Sequence, residues 1–111
     1  MLRLCSLDEI PDGDAIGVET PQGEVVLVRM GRDVVAYRNQ CPHLGIELNF
    51  QPDVFLDTEH LYIQCANHGA LFQIEDGLCV FGPCQGESLT PLPVQLIDNS
   101  VCLSPDHARK D

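Results

Sequence analysis

The sequence predicts an all-β domain. Its apolar runs are short and rich in β-branched residues, as in Val25-Val26-Leu27-Val28, Val34-Val35 and Val101-Cys102-Leu103. Turn residues separate those runs at Thr20-Pro21-Gln22-Gly23, Gly31-Arg32-Asp33, Glu75-Asp76-Gly77 and Asp98-Asn99. No long stretch repeats apolar residues at helical spacing, and there is no internal repeat or low-complexity tract. At 111 residues the chain is one domain with a modest core.

Taken in order, Leu2 to Cys5 is a first strand, followed by a polar connection from Asp8 to Asp14. Ala15 to Glu19 and Glu24 to Met30 flank the Pro21-Gln22-Gly23 turn, and Gly31-Arg32-Asp33 sends the chain back into Val34 to Arg38. These three strands form a meander that serves as the base of the domain. Asn39 to Gln51 reads as loop, and Pro52 to His60 as an undecided connection, turn or short strand. Leu61 to Gln64 is a strand running straight into Cys65, and Leu71 to Ile74 with Leu78 to Phe81 forms a hairpin around Glu75-Asp76-Gly77. Gly82-Pro83 opens another loop. Val94 to Ile97 and Ser100 to Leu103 pair across Asp98-Asn99, leaving residues 104–111 as a polar, frayed tail.

Six basic against seventeen acidic residues give a formal charge of −11. Such a surface excludes nucleic acid and anionic membranes as partners, because both require basic patches. It suits a partner with a basic docking face, and equally it suits plain solubility. Met1 to Glu9 lacks the apolar run of a signal peptide, and no apolar stretch approaches the ~20 residues that span a bilayer. The expected location is the cytoplasm, where six cysteines mean thiols rather than a disulfide framework. Cys79, Cys102 and Cys5 sit in apolar strands and read as small buried hydrophobes; Cys84 instead follows Gly82-Pro83, where a place near the ligand loops leaves a redox role open beside the bland reading. His60 and His107 read as solvated, as does the Asp53, Asp57 and Glu59 group, which has no catalytic pairing.

The chemistry concentrates in Cys41-Pro42-His43-Leu44-Gly45 and Cys65-Ala66-Asn67-His68-Gly69. Each stretch offers one thiolate and one imidazole, and 21 residues lie between His43 and Cys65. Most two-cysteine, two-histidine sets hold zinc, but zinc knuckles usually take both cysteines from one place. Mixed knuckles suit a binuclear cluster in which one iron takes both thiolates and the other takes both imidazoles. A structural zinc module is the outlying alternative.

The pattern resembles the Rieske family, whose 2Fe–2S centre has two histidines in place of two cysteines on one iron. Leu44-Gly45, Gly69, Ala70-Leu71-Phe72-Gln73, Asp76-Gly77, Gly82-Pro83 and Leu92-Pro93-Val94 are similar to its cluster loops, strand, turn, third loop and return strand. The resemblance implies a Rieske fold of antiparallel sheets, a β-sandwich with a small cluster-binding subdomain. The domain would be residues 1–103, with the cluster-binding part at about 39–85. It implies one 2Fe–2S cluster per chain held by Cys41, His43, Cys65 and His68, the histidines nearer the surface and no residue catalytic.

Three departures point to a low-potential, ferredoxin-type member. High-potential relatives carry an extra cysteine in each ligand loop, where Ile46 and Asn67 stand here, so that bridge cannot form. The serine and tyrosine that donate hydrogen bonds to sulfur correspond to Ala70 and Phe72. Asn67 itself reads as a turn former. The implied function is one-electron transfer, as a ferredoxin component between a reductase and an oxygenase or reductase, with those redox proteins as partners. The alternative is a small Rieske subunit of a larger oxidoreductase, such as a nitrite reductase-like enzyme. Neither is a stand-alone catalyst, since the chain is too short for an oxygenase's own mononuclear-iron domain.

Overall fold

The computed structural model describes residues 2–21, 23–42, 47–49, 53–66 and 69–104. Among these, ten strands form three antiparallel sheets. The central sheet contains β2 (Ala15–Thr20), β3 (Gly23–Met30) and β4 (Asp33–Arg38), with the two-residue β8 (Pro91–Leu92) at its edge. A second sheet has the order β1 (Leu2–Ser6), β10 (Ser100–Leu103), β9 (Val94–Ile97). The third, smaller sheet is β5 (Tyr62–Gln64), β6 (Leu71–Gln73), β7 (Cys79–Phe81). The all-β expectation holds, and the only helical element among the described residues is one 3-10 turn, Leu7–Glu9. Ser6 and Glu9 cap it reciprocally, a detail hidden inside the stretch read as plain connection.

The β2–β3–β4 meander is not an outer face but the middle layer. Val25 and Leu27 pack into an apolar cluster with Cys5, Ile10, Ala36 and Val101, toward the β1–β10–β9 sheet. Val26 and Val28 pack into the other cluster with Phe72, Ile63 and Leu48, toward the small sheet. Successive residues of a strand point to opposite faces, so a strand buried on both faces needs an unbroken apolar run. That is why Val25-Val26-Leu27-Val28 does not alternate with polar residues.

The expected return strand is divided. Pro93 has no N–H for a ladder, and the chain changes sheets there, β8 pairing with β4 and β9 with β10. The β9–β10 hairpin turns at Asp98 (φ 49°) and Asn99 (φ 67°), the pair of left-handed residues a two-residue hairpin turn demands.

Candidate metal centre

Both ligand loops leave the ends of buried strands, and each is braced at its base. β4 ends at Arg38, and the next residue, Asn39, is buried. Its Nδ2 donates to Glu24 Oε1 at 2.6 Å and to Asn49 Oδ1 at 2.9 Å, while its Oδ1 accepts from the Leu48 N–H at 2.7 Å. One amide therefore closes the loop containing Cys41, joining its outgoing and returning arms to the central sheet. The composition of that loop gave no hint of this clamp.

β5 delivers Cys65 directly to the second loop. The Cys65 N–H donates to Ala70 O at 2.9 Å, and the Gly69 N–H donates to Cys65 O at 2.8 Å, folding the segment into a tight knuckle. Gly69 has φ +68°, a left-handed conformation costly for a residue with Cβ. The loops are then tied together, because the Ala66 N–H donates to Leu48 O at 2.7 Å.

A third loop sits over the second. Gly82 has φ +108°, and a Cβ placed there would lie 2.8 Å from Ala70 Cα, so the two backbones touch only because Gly82 has no side chain. The turn at Gly77 is held by Tyr37, whose hydroxyl donates to Ile74 O at 2.6 Å and whose ring lies against the glycine. Burial pushes the Tyr37 phenol up to about 12, with the Asp76 and Glu75 charges adding to it.

At the centre of these braces, Cys41 is 1% exposed and Cys65 is fully buried, and both belong to one apolar cluster with Leu48, Ala70, Phe72, Cys79, Cys84 and Leu89. All six cysteines are described and none is in a disulfide. Two thiolates in an apolar setting would be costly unless a cation is bound to them, so the described half of the expected donor set, Cys41 and Cys65, fits a metal centre. His43 and His68, with Leu44, Gly45, Ile46 and Asn67, lie outside the described residues.

Ala70 and Phe72, where donors to sulfur were sought, are fully buried and carry no hydroxyl. Cys79 and Cys5 are buried in the two cores as expected, and Cys102 is buried on β10. Cys84, which follows Gly82-Pro83 in the third loop, is buried beneath that loop with its Sγ 3.1 Å from Cys79 Sγ. Burial raises its pKa to about 12, with the hydrogen bond to Cys79 and the charges of Cys79, Cys41 and Glu87 adding.

Two acids read as solvated serve as braces. Asp53 Oδ1 accepts from the Gly17 N–H at 2.8 Å, and Asp57 Oδ1 accepts from the N–H groups of Leu61 and Tyr62 at 2.8 and 3.0 Å. Glu59 and His60 are exposed as expected, and His107 lies outside the described residues. A groove of about 560 Å³ lined by Met30, Val35, His60, Leu61 and Ile74 opens at the end of β5 opposite Cys65 and takes no part in the centre.

The family model described as Rieske [2Fe-2S] domain matches residues 1–99. The chain is 29% identical, over 87% of its length and 88% of the relative's, to a protein of Ralstonia sp named as the ferredoxin component of naphthalene 1,2-dioxygenase/salicylate 5-hydroxylase systems. Among solved structures it is similar to the ferredoxin of carbazole 1,9a-dioxygenase from Nocardioides aromaticivorans IC177. That match has a TM-score of 0.77 and 25% identity, over 95% of this chain and 97% of that one. It is also similar to a Sphingomonas yanoikuyae B1 ferredoxin, with a TM-score of 0.74 and 26% identity over 95% and 98%.

Proposed function

The chain belongs to the Rieske [2Fe-2S] domain family and carries that family's cluster, and from this premise we propose that it is the ferredoxin component of an oxygenase system. It takes one electron at a time from a reductase and delivers it to a terminal oxygenase. We assign the ligands as Cys41 and Cys65 to one iron and His43 and His68 to the other. The observation that carries this is the burial of Cys41 and Cys65 in one apolar cluster, on loops joined by the Ala66–Leu48 hydrogen bond.

When bound, the cluster supplies a site that holds one electron. The chain's residues determine how readily. Two neutral imidazoles in place of two thiolates raise the potential above that of four-cysteine clusters. Ala70 and Phe72, having no hydroxyl, withhold hydrogen bonds that would favour the more negative reduced state, and so lower it within the Rieske range. Leu48, Phe72 and Leu89 keep water from the thiolate side. In keeping with the family resemblance, we assign the His43 and His68 side as the one that meets a partner. A surface of net charge −11 favours a partner with a basic docking face. No described helix is long and apolar enough to cross a membrane, in keeping with a cytoplasmic carrier.

The test is direct. Purified protein should contain two irons and two acid-labile sulfides per chain, and on reduction should give a paramagnetic signal distinct from that of four-cysteine clusters. His43→Ala or His68→Ala should abolish the signal. Colourless protein with stoichiometric zinc would overturn the assignment.

A further inference from the structure

Two cysteines are left over beside the centre, and they touch. Cys84 Sγ donates to Cys79 Sγ at 3.1 Å, and Cys79 Sγ in turn donates to Phe81 O at 3.3 Å. The backbone brings them together: the Cys79 N–H donates to Glu87 O at 2.8 Å, and the Glu87 N–H donates to Cys84 O at 2.9 Å. The segment thus folds back on itself with both sulfurs on its inner side. We propose that Cys79 and Cys84 form a second, two-electron redox site, a dithiol that closes to a disulfide under a hydroperoxide and acts on the third loop.

Burial alone would read both as inert core thiols, at 3% and 2% exposure. Their position argues otherwise. Phe81, Pro83, Gln85, Gly86 and Glu87 are all exposed, so Cys84 is the one buried side chain in an otherwise solvent-facing turn. Opening that turn and the start of β7 uncovers both sulfurs and removes the burial that raises the Cys84 pKa, while the Val25 and Leu27 core stays closed. Cys5 and Cys102 have no such arrangement. They sit on β1 and β10, where Cys5 faces the core with Val101, and Cys102 pairs with Arg3.

The step balances. One sulfur takes an oxygen from the peroxide to become a sulfenic acid, and water leaves. The second sulfur displaces the hydroxyl as a second water, forming the S–S bond. Two thiols and one hydrogen peroxide give one disulfide and two waters, and a small dithiol reverses the step. The new bond would bracket Gly82, whose backbone rests on Ala70, which in turn accepts the Cys65 N–H. The expected consequence is a changed midpoint, since the bridge draws on the loop that rests against Ala70 and the Cys65 knuckle.

Holo protein is treated with hydrogen peroxide at a dose that leaves the cluster's visible absorbance intact. It is then denatured, alkylated and cut after glutamate. Cleavage at Glu75 and Glu87 isolates residues 76–87, which hold Cys79 and Cys84 and no other cysteine. That fragment should be lighter by two hydrogens and unalkylated, and prior treatment with dithiothreitol should restore two labels. Cys79→Ser and Cys84→Ser should each lose the bridge, and the oxidised wild type should show a midpoint different from that of the dithiol form. A fragment that keeps both labels after peroxide, or a bridge mapping to Cys5 or Cys102, would overturn the site. A midpoint identical in both forms would overturn its coupling to the cluster. Bridge formation does not depend on the metal assignment, so the two readings fail separately.

Discussion

Tyr37→Phe tests how firmly the cluster-bearing sheet is fastened to the rest. The phenol is a polar tie from β4 into the β6–β7 turn, donating to Ile74 O at 2.6 Å in the buried core. Removing the hydroxyl leaves that carbonyl short of a partner, at a cost of about 1–3 kcal/mol. For a domain of this size, each kcal/mol corresponds to about 4 °C in Tm, so the variant should melt roughly 4–12 °C lower. The melt is followed by far-ultraviolet circular dichroism and by the cluster's visible absorbance.

The same bond predicts a pH signature. Burial holds the Tyr37 phenol at about 12, above the ordinary value of 10. Below pH 10 both folded and unfolded chains keep the proton, and the full stability is present. Between 10 and 12 the unfolded chain ionises while the folded one does not, so wild type loses up to about 3 kcal/mol across that window. The Phe variant has nothing to ionise. Its deficit should therefore shrink as pH rises from 9 to 12, with the Cys84 contribution, common to both proteins, cancelling. A gap of constant size across that range would refute the reasoning, whatever its magnitude.

Gly82→Ala should push the third loop off Ala70. It combines a left-handed φ of +108° with a 2.8 Å approach to backbone, worth at least about 2 kcal/mol. The check is a faster loss of cluster absorbance to an iron chelator, and an unchanged rate would mean that the loop does not protect the centre. The midpoint should lie near the low end of the Rieske range, at about −150 mV, and Ala70→Ser and Phe72→Tyr should each raise it by voltammetry. A wild-type value above about +100 mV would show that donors are present which Ala70 and Phe72 do not supply.

Strands were legible where their cause is local. The β9–β10 hairpin follows from Asp98-Asn99, and the β6–β7 hairpin from Asp76-Gly77, because these residues tolerate the turn conformations. The cysteines proposed as ligands stand out in the sequence for another reason: metal ligation constrains residue type and spacing at once. What stayed hidden depends on residues far apart in the chain. β1 pairs Leu2 with Leu103, and no local pattern selects a partner strand at the other end of the sequence. Asn39 looked like a loop residue, since its partners Glu24, Leu48 and Asn49 reveal its role only once the sheet has formed. Asp53 likewise needs Gly17, whereas Asp57 binds N–H groups only four and five residues on and could have been read as a turn brace.

The unbroken run Val25 to Val28 carried more information than a strand assignment extracts. Four consecutive apolar residues in a strand require that both faces be covered, and hence three layers rather than two. The layer on the Val26 and Val28 side is the small sheet, whose shared core includes Cys41 and Cys65. A three-strand sheet with strands of three residues each is too small to hold itself together. It depends on the central sheet on one side and on whatever fills its ligand loops on the other. Free energy gained when those cysteines are ligated therefore enters directly as folding free energy of the third layer. The β1–β10–β9 layer, packed on Val25 and Leu27 through a separate apolar cluster, does not share that dependence.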